Sequence, residues 1–343
     1  VRNSSFTGNT NVGLYVNATT SSLINSVEME NITSSTNANA GVQVGVASGA
    51  DIVTLDVDGI TANSNTTASG RGFYLDVNGA GSTVTTATLN NITTASNGAT
   101  GTYVNVQTDG QLSTLNANDV SSNHDDSRGI YFLTQLGGDI GTIAADGMTS
   151  INTAGAAGRG MEIIASGVGS TINSATVENS TFNSNLNMGL LYQAITSGVI
   201  TTSVVRNTTA SSNTGLGIEM LAQVAGSMST VTLENITANS NAGRGVYIFA
   251  QSDGDIATAT VDNLTAQNNT GAAGRGIEIG STGNGSTIGN MTVENSLFSG
   301  NAQEGAYLYA TTNTTTTTNT VNVTNVTSTA NGIRGVYIVS SAA

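Results

Sequence analysis

TVTLENITANSNAGRGVYI, residues Thr230 to Ile248, is the clearest copy of a pattern that the chain carries twelve times. An Asn-x-Thr-like triplet is followed at ten residues, or thirteen in three copies, by a glycine and a short apolar-x-apolar segment. With Asn235 as landmark, the equivalent positions are Asn3, Asn31, Gly59, Asn91, Asp119, Gly147, Asn179, Asn207, Asn263, Asn295 and Asn325. All are Asn, Asp or Gly, the residues that enter left-handed backbone most cheaply. The column therefore predicts a bend at the same point of every repeat, with Asn31, Asn91, Asn179, Asn207, Asn235, Asn263, Asn295 and Asn325 as its asparagine ladder.

Two further columns follow. A polar position recurs six residues after the landmark, as Asn in all copies but two, where Asp125 and Thr153 stand. A glycine then recurs in every copy, from Gly13 and Gly41 through Gly245 to Gly335, which suggests a turn that no side chain fits. Between these corners the apolar residues have period two. Val231 and Leu233 face one way and Thr230, Thr232 and Glu234 the other, while Val246 and Ile248 flank Tyr247. These are strands too short to stand alone, and a period of about 28 residues in register marks stacked coils.

Packing supports the stack. Most copies put a large apolar residue just after the landmark and a small one two later (Ile32 with Ser34, Ile236 with Ala238), but Ser4 with Phe6, Ser180 with Phe182 and Ser296 with Phe298 invert the order. Such an exchange of volume between neighbouring positions belongs to a close-packed interior. Asn207, followed by Thr208 and Ala210, has neither form and marks a looser spot. A further column, Ile52, Val84, Leu112, Ile140, Ile172, Ile200, Met228, Ile256 and Ile288, is read as a third strand per coil.

The order Asn-Ile-Thr, then Asn, then Gly with apolar-x-apolar resembles the coil of right-handed parallel β-helix proteins, the pectate-lyase-like superfamily and its surface-protein relatives. The resemblance covers essentially all 343 residues. It implies an all-β solenoid of twelve coils of roughly 28–32 residues, three short strands each, as one continuous domain from 1 to 343 with both ends uncapped. Uncapped ends expose strand edges, so the expectation is a segment of a longer protein or a subunit whose ends meet neighbours.

Composition narrows the partners. Acidic residues number 22 against eight arginines and no lysine, a net charge of −14. Nucleic acid is therefore not an expected partner. No cysteine is present, so disulfides and thiolate metal sites are excluded, and no apolar run reaches membrane-spanning length. Abundant Asn, Ser, Thr and Gly with an acidic balance is the composition expected of an extracellular or cell-surface array.

Function then has to sit on outward columns. Tyr74, Tyr103, Tyr131, Tyr247, Tyr307 and Tyr337, with Tyr15, occupy the position two after the repeat glycine, and Arg71, Arg128, Arg244 and Arg275, with Arg159 and Arg334, immediately precede that glycine. Tyr and Arg are the residues of binding hot spots, so the stripe is a candidate lateral interface or glycan-stacking surface. The competing reading is plain cross-coil pairing of good strand residues. A second column places Glu30, Asp58, Asp146, Glu178, Glu234, Asp262 and Glu294 before the landmark. Stacked carboxylates would take Ca²⁺ if any cation binds, but Asn90, Asn118, Arg206 and Thr324 interrupt them, and no cofactor is expected. A third column is hydroxylated, from Ser26 and Thr54 to Thr320, but Glu28, Asp56 and Val204 in its paired positions make it a poor ice template.

The cluster Asn123-His124-Asp125-Asp126-Ser127-Arg128 holds the one histidine and is the best opening for acid–base chemistry, yet adjacent residues of a turn point apart. It reads as a solvated corner, and the chain is expected not to be an enzyme. Asn-x-Ser/Thr triplets off the bend column, at Asn17, Asn65, Asn284 and Asn313, are candidate glycosylation acceptors. The reading that results is a non-enzymatic subunit or segment of a surface fibre that self-associates laterally or end to end. An adhesin or glycan-binding stalk is the first alternative, and a polysaccharide lyase or hydrolase the second.

Overall fold

The computed structural model describes residues 1–155, 157–312 and 320–342. Among them every strand pairing is parallel, and no helix occurs. Each coil contributes a long strand bent at the landmark, such as Asp51–Asn63, and a second strand, such as Arg71–Asn78. The long strands stack into a 17-stranded sheet, in which some are split at the bend, and the second strands into a 12-stranded sheet. The chain is a β-solenoid of about twelve turns, and at about 4.8 Å per coil the rod is on the order of 55 Å long.

The bend has a direct cause. All twelve landmarks have positive φ, from 47° at Asn207 to 67° at Gly59 and Gly147. This reverses which face the next side chain meets, so Ile60 and Ala62 point inward just as Leu55 and Val57 do before the bend. Outside, the landmark side chains hydrogen-bond from coil to coil. The Nδ2 groups of Asn31, Asn207, Asn235, Asn263 and Asn325 donate to the landmark asparagine of the preceding coil at 2.8–3.1 Å, while those of Asn91, Asn179 and Asn295 donate to Asp58, Asp146 and Asp262.

The third face differs from the sequence expectation. Ile52 and its equivalents start the same strand that carries Leu55 and Val57; the remaining short strand is the segment after the bend, as in Ser121–Asn123 and Thr181–Asn183. Two outward residues, Val53 and Thr54, separate Ile52 from Leu55, and that break in alternation made one strand read as two.

The recurring glycine also has another cause than a turn. Gly13, Gly41 and their equivalents have no positive φ, but a Cβ on either would lie 2.8 Å from the carbonyl oxygen of the next coil's glycine. Close approach of coils, not conformational freedom, excludes a side chain there.

The core is a single column of aliphatic ladders, and volume is exchanged within it. Phe182 and Phe298 are fully buried beside inward Ser180 and Ser296, whose hydroxyls donate to the carbonyls of Glu178 and Glu294. At the looser spot, Thr208 and Ala210 are both buried, and Tyr192 supplies volume nearby. Its hydroxyl donates toward the carbonyls of Ala175 and Val204 at 3.4 and 3.3 Å, over the small residues Ala175 and Ser203.

The second polar column is interior. Asn37, Asn65, Asn97, Asn185, Asn213, Asn241 and Asn269 are all buried. Each Oδ1 accepts the backbone N–H of the equivalent residue one coil earlier, at 2.9–3.1 Å for Asn65, Asn97, Asn213, Asn241 and Asn269, and side-chain amides extend the chain to Asn331. A buried amide costs free energy unless its donors and acceptors are matched, and here the repeat matches them.

Candidate functional site

The outer side of the 12-stranded sheet carries the tyrosine and arginine stripe. Strand alternation turns every second residue outward, and the parallel register stacks equivalent positions directly: Tyr74 pairs with Tyr103, Tyr103 with Tyr131, Tyr131 with Glu162, Glu219 with Tyr247 and Tyr307 with Tyr337. The rings of Tyr74, Tyr103 and Tyr131 stack at 5.1 and 4.9 Å, and those of Tyr307 and Tyr337 at 5.2 Å. Tyr15, in the first coil, is 54% exposed.

The arginines lie over these rings. The guanidinium carbon of Arg71 is 4.2 Å from the Tyr74 centroid and 4.9 Å from that of Tyr103; Arg128, Arg244, Arg275 and Arg334 cover Tyr131, Tyr247, Tyr307 and Tyr337 at 4.1–4.9 Å. Glutamates in and beside the tyrosine column bind most of them. Buried Glu162 pairs with Arg128 and Arg159, and buried Glu278 with Arg244 and Arg275. Glu304 joins Arg275 at 2.8 Å and Arg334 at 3.3 Å. Burial is the main cause of raised tyrosine pKa values: Tyr103 is pushed up to about 12, and Tyr74, Tyr131 and Tyr247 are raised as well. These side chains are therefore neutral phenols at neutral pH.

Beside this column runs another that the sequence reading did not single out. Leu133, Ile164, Leu191, Leu221 and Phe249 form, with Tyr74 and Tyr103, an apolar cluster outside the main core, each no more than 9% exposed. Most lie two residues beyond the tyrosine position, where Asn17, Gly45, Asp76 and Asn105 stand in earlier coils. An aliphatic run at outward parity is the signal that would have revealed it.

A groove of about 290 Å³ opens on the same face, lined by Arg71, Tyr103, Arg128 and Tyr131 and rimmed by Ala68 and Ser69 of an Ala/Gly-rich insertion. It offers aromatic faces and guanidinium donors to a ligand.

The other candidate residues fall elsewhere. His124 and Asp126 are exposed, while Asp125 turns inward to fill a place in the interior asparagine ladder. Asp125 accepts hydrogen bonds from the backbone and side chain of Asn97, both at 2.8 Å, and from Ser122 and Thr94, and its burial pushes its pKa up to about 6. The cluster is thus divided between solvent and core. Of the acidic column, Asp58, Asp146 and Asp262 accept from landmark asparagines, and Glu30 and Glu234 pair with Arg2 and Arg206. Among the described residues no group of three or more metal-ligating side chains converges. The hydroxyl column is in register, with Thr54, Thr86, Thr114 and Thr142 stacked in succession.

Asn17 and Asn284 are exposed, and Asn313 lies outside the described residues. Asn65 is corrected: it is buried, and the amide nitrogen that would carry a glycan donates to Asn97 Oδ1 at 2.7 Å. It belongs to the interior ladder and is closed to modification in the folded chain.

No family model matches this chain, no curated protein matches it, and no solved structure matches it. The β-solenoid is therefore argued from its own residues.

Proposed function

We propose that this chain is a non-enzymatic segment or subunit of an extracellular surface fibre, a rod whose task is to hold shape and to associate with further copies. One observation carries the reading: the interior ladder, in two stretches from Asn9 to Asp125 and from Thr153 to Asn331, runs alongside a single aliphatic core, so the described residues are spent on one continuous rod. Elongated stacked structures of this kind resist shear because each coil is bonded to its neighbours along both a sheet and a side-chain ladder. Composition supports an extracellular setting.

Negative-stain imaging of the purified protein tests this. Uniform filaments or paired rods are expected, and isolated single rods at high concentration would sink the assembly reading.

The groove at Arg71, Tyr103, Arg128 and Tyr131 favours one second reading, a glycan-binding stalk, because guanidinium donors stacked on tyrosine rings line a cleft where a sugar could bind. Glycan-array binding abolished by Tyr103→Ala and Tyr131→Ala together would support it.

A further inference from the structure

Arg71 stands apart from every other arginine. The remaining seven each pair with a glutamate, whereas Arg71 has no carboxylate within ion-pair distance among the described residues. Its near neighbour Asp76 accepts instead from Asn105 and Gln107. On the same face, Glu219 has neither an ion pair nor a side-chain hydrogen bond, and burial raises its pKa against the opposing pull of Arg159 and Arg244 at longer range. One cation without an ion pair and one carboxylate with neither an ion pair nor a hydrogen bond therefore occupy a single stripe, in the third and eighth coils, about 24 Å apart along the rod.

We infer that this face pairs with the same face of a second copy, antiparallel, about a two-fold axis that crosses the stripe between the fifth and sixth coils. The axis lies in the interface and across the rods, so each outward column meets its own counterpart and coil n meets coil 11 − n. Glu219 of one copy then meets Tyr74 of the other, and the Arg71 guanidinium, 4.2 Å from the centroid of that ring, approaches the carboxylate. Three further matches follow from the same operator and were not used to choose it. The axis falls between Leu133 and Ile164, placing the apolar cluster at the centre of the contact. Tyr103 meets Leu191. Phe249, the largest ring of its column in that half, meets Gly45, whose place in the column is covered only by the ends of the Asn17 and Tyr15 side chains.

Near the axis the charges are already matched within each copy, because Glu162 holds Arg128 and Arg159, and Asp76 is held by the Asn105 and Gln107 amides. A parallel arrangement would place Arg71 on Arg71 and Glu219 on Glu219. Eight coils and three columns cover roughly 500 Å² per partner, the low end of specific interfaces, so the pair should be reversible and salt-sensitive.

The inference rests on the proposal that copies associate, and its test separates the two. Sedimentation velocity of the 343-residue chain over 1–200 µM, in low and in 0.5 M salt, should show a dimer weakened by salt. Arg71→Glu alone and Glu219→Arg alone should each weaken it at least tenfold, and the two changes combined in one chain should restore it. Gly45→Leu, whose Cβ meets only the ends of the Asn17 and Tyr15 side chains, should block the pair without disturbing the fold, as judged by an unchanged thermal midpoint. Dimers indifferent to all these changes would overturn this interface while leaving assembly intact. A monomer throughout the range would overturn it outright, as would failure of the double exchange to restore dimers in a chain that melts normally.

Discussion

Replacing Asp125 by asparagine should make the protein more stable at neutral pH, although it alters a fully buried, hydrogen-bonded residue. A carboxylate stands there in a ladder otherwise built almost wholly from amides, and burial raises its pKa from 3.8 to about 6. The folded chain holds the proton more tightly than the unfolded chain. The group is therefore neutral in both states below about pH 3 and costs nothing there; its cost grows as pH rises from 3.8 to about 6 and is complete about one unit above that. Two pH units correspond to about 3 kcal/mol. In the variant, Oδ1 still accepts from Asn97, and Nδ2 is placed to donate to the Thr94 carbonyl, as Asn213 donates to that of Phe182. The net gain expected at pH 7.5 is about 1–3 kcal/mol, less whatever the Ser122 and Thr94 hydroxyls lose as donors. Guanidinium unfolding of both proteins at pH 7.5, 6 and 4, in 0.2 M salt to screen the change in net charge, should show the difference in midpoint shrinking to a small fraction at pH 4. A variant less stable than the parent at pH 7.5, or a gain that persists unchanged at pH 4, would refute the reasoning.

Other substitutions separate the remaining forces. Asn213→Ala removes four interior hydrogen bonds and should cost about 2–4 kcal/mol, while Asn235→Ala, on the exposed ladder, should cost about 1 kcal/mol; comparative chemical denaturation checks the order. Gly41→Ala places a Cβ 2.5 Å from the Ser34 carbonyl and 2.8 Å from that of Gly72, and should destabilise by about 1–3 kcal/mol in the same assay. Tyr192→Phe should cost about 1 kcal/mol, whereas Tyr192→Ala, which opens a cavity, should cost about 3–5 kcal/mol and lower the thermal midpoint visibly. Expressed through a glycosylating secretory pathway, the chain should carry glycans at Asn17 and Asn284 and none at Asn65; peptide mass spectrometry showing Asn65 occupied in folded protein would contradict its burial.

The architecture was legible because its causes are local. A bend needs a residue tolerant of positive φ, and twelve Asn, Asp or Gly landmarks announce it; alternation then places Val231, Leu233, Val246 and Ile248 inside. What the sequence left obscure depends on neighbours a whole coil away. Asn37 and Asn31 are the same residue in the same kind of column, yet one is buried and the other exposed, because strand parity and the closing corner decide which way each points. Gly41 looks like a turn residue, and only the stacked carbonyl of Gly72 reveals a steric requirement. The tyrosine stripe could be listed from spacing, but Arg71 differs from Arg128 only through Glu162, which lies 34 residues beyond Arg128 and serves one guanidinium and not the other.

The two asparagine ladders point in opposite senses. Between side chains, the inner Asn65, Asn97, Asn213, Asn241, Asn269 and Asn301 donate to the following coil, whereas the outer Asn31, Asn207, Asn235, Asn263 and Asn325 donate to the preceding one. Loss of an acceptor in one coil therefore strands a donor upstream within the core but downstream on the surface. A single lesion thus loosens the rod asymmetrically, and hydrogen exchange read coil by coil on either side of it would reveal which ladder had been cut.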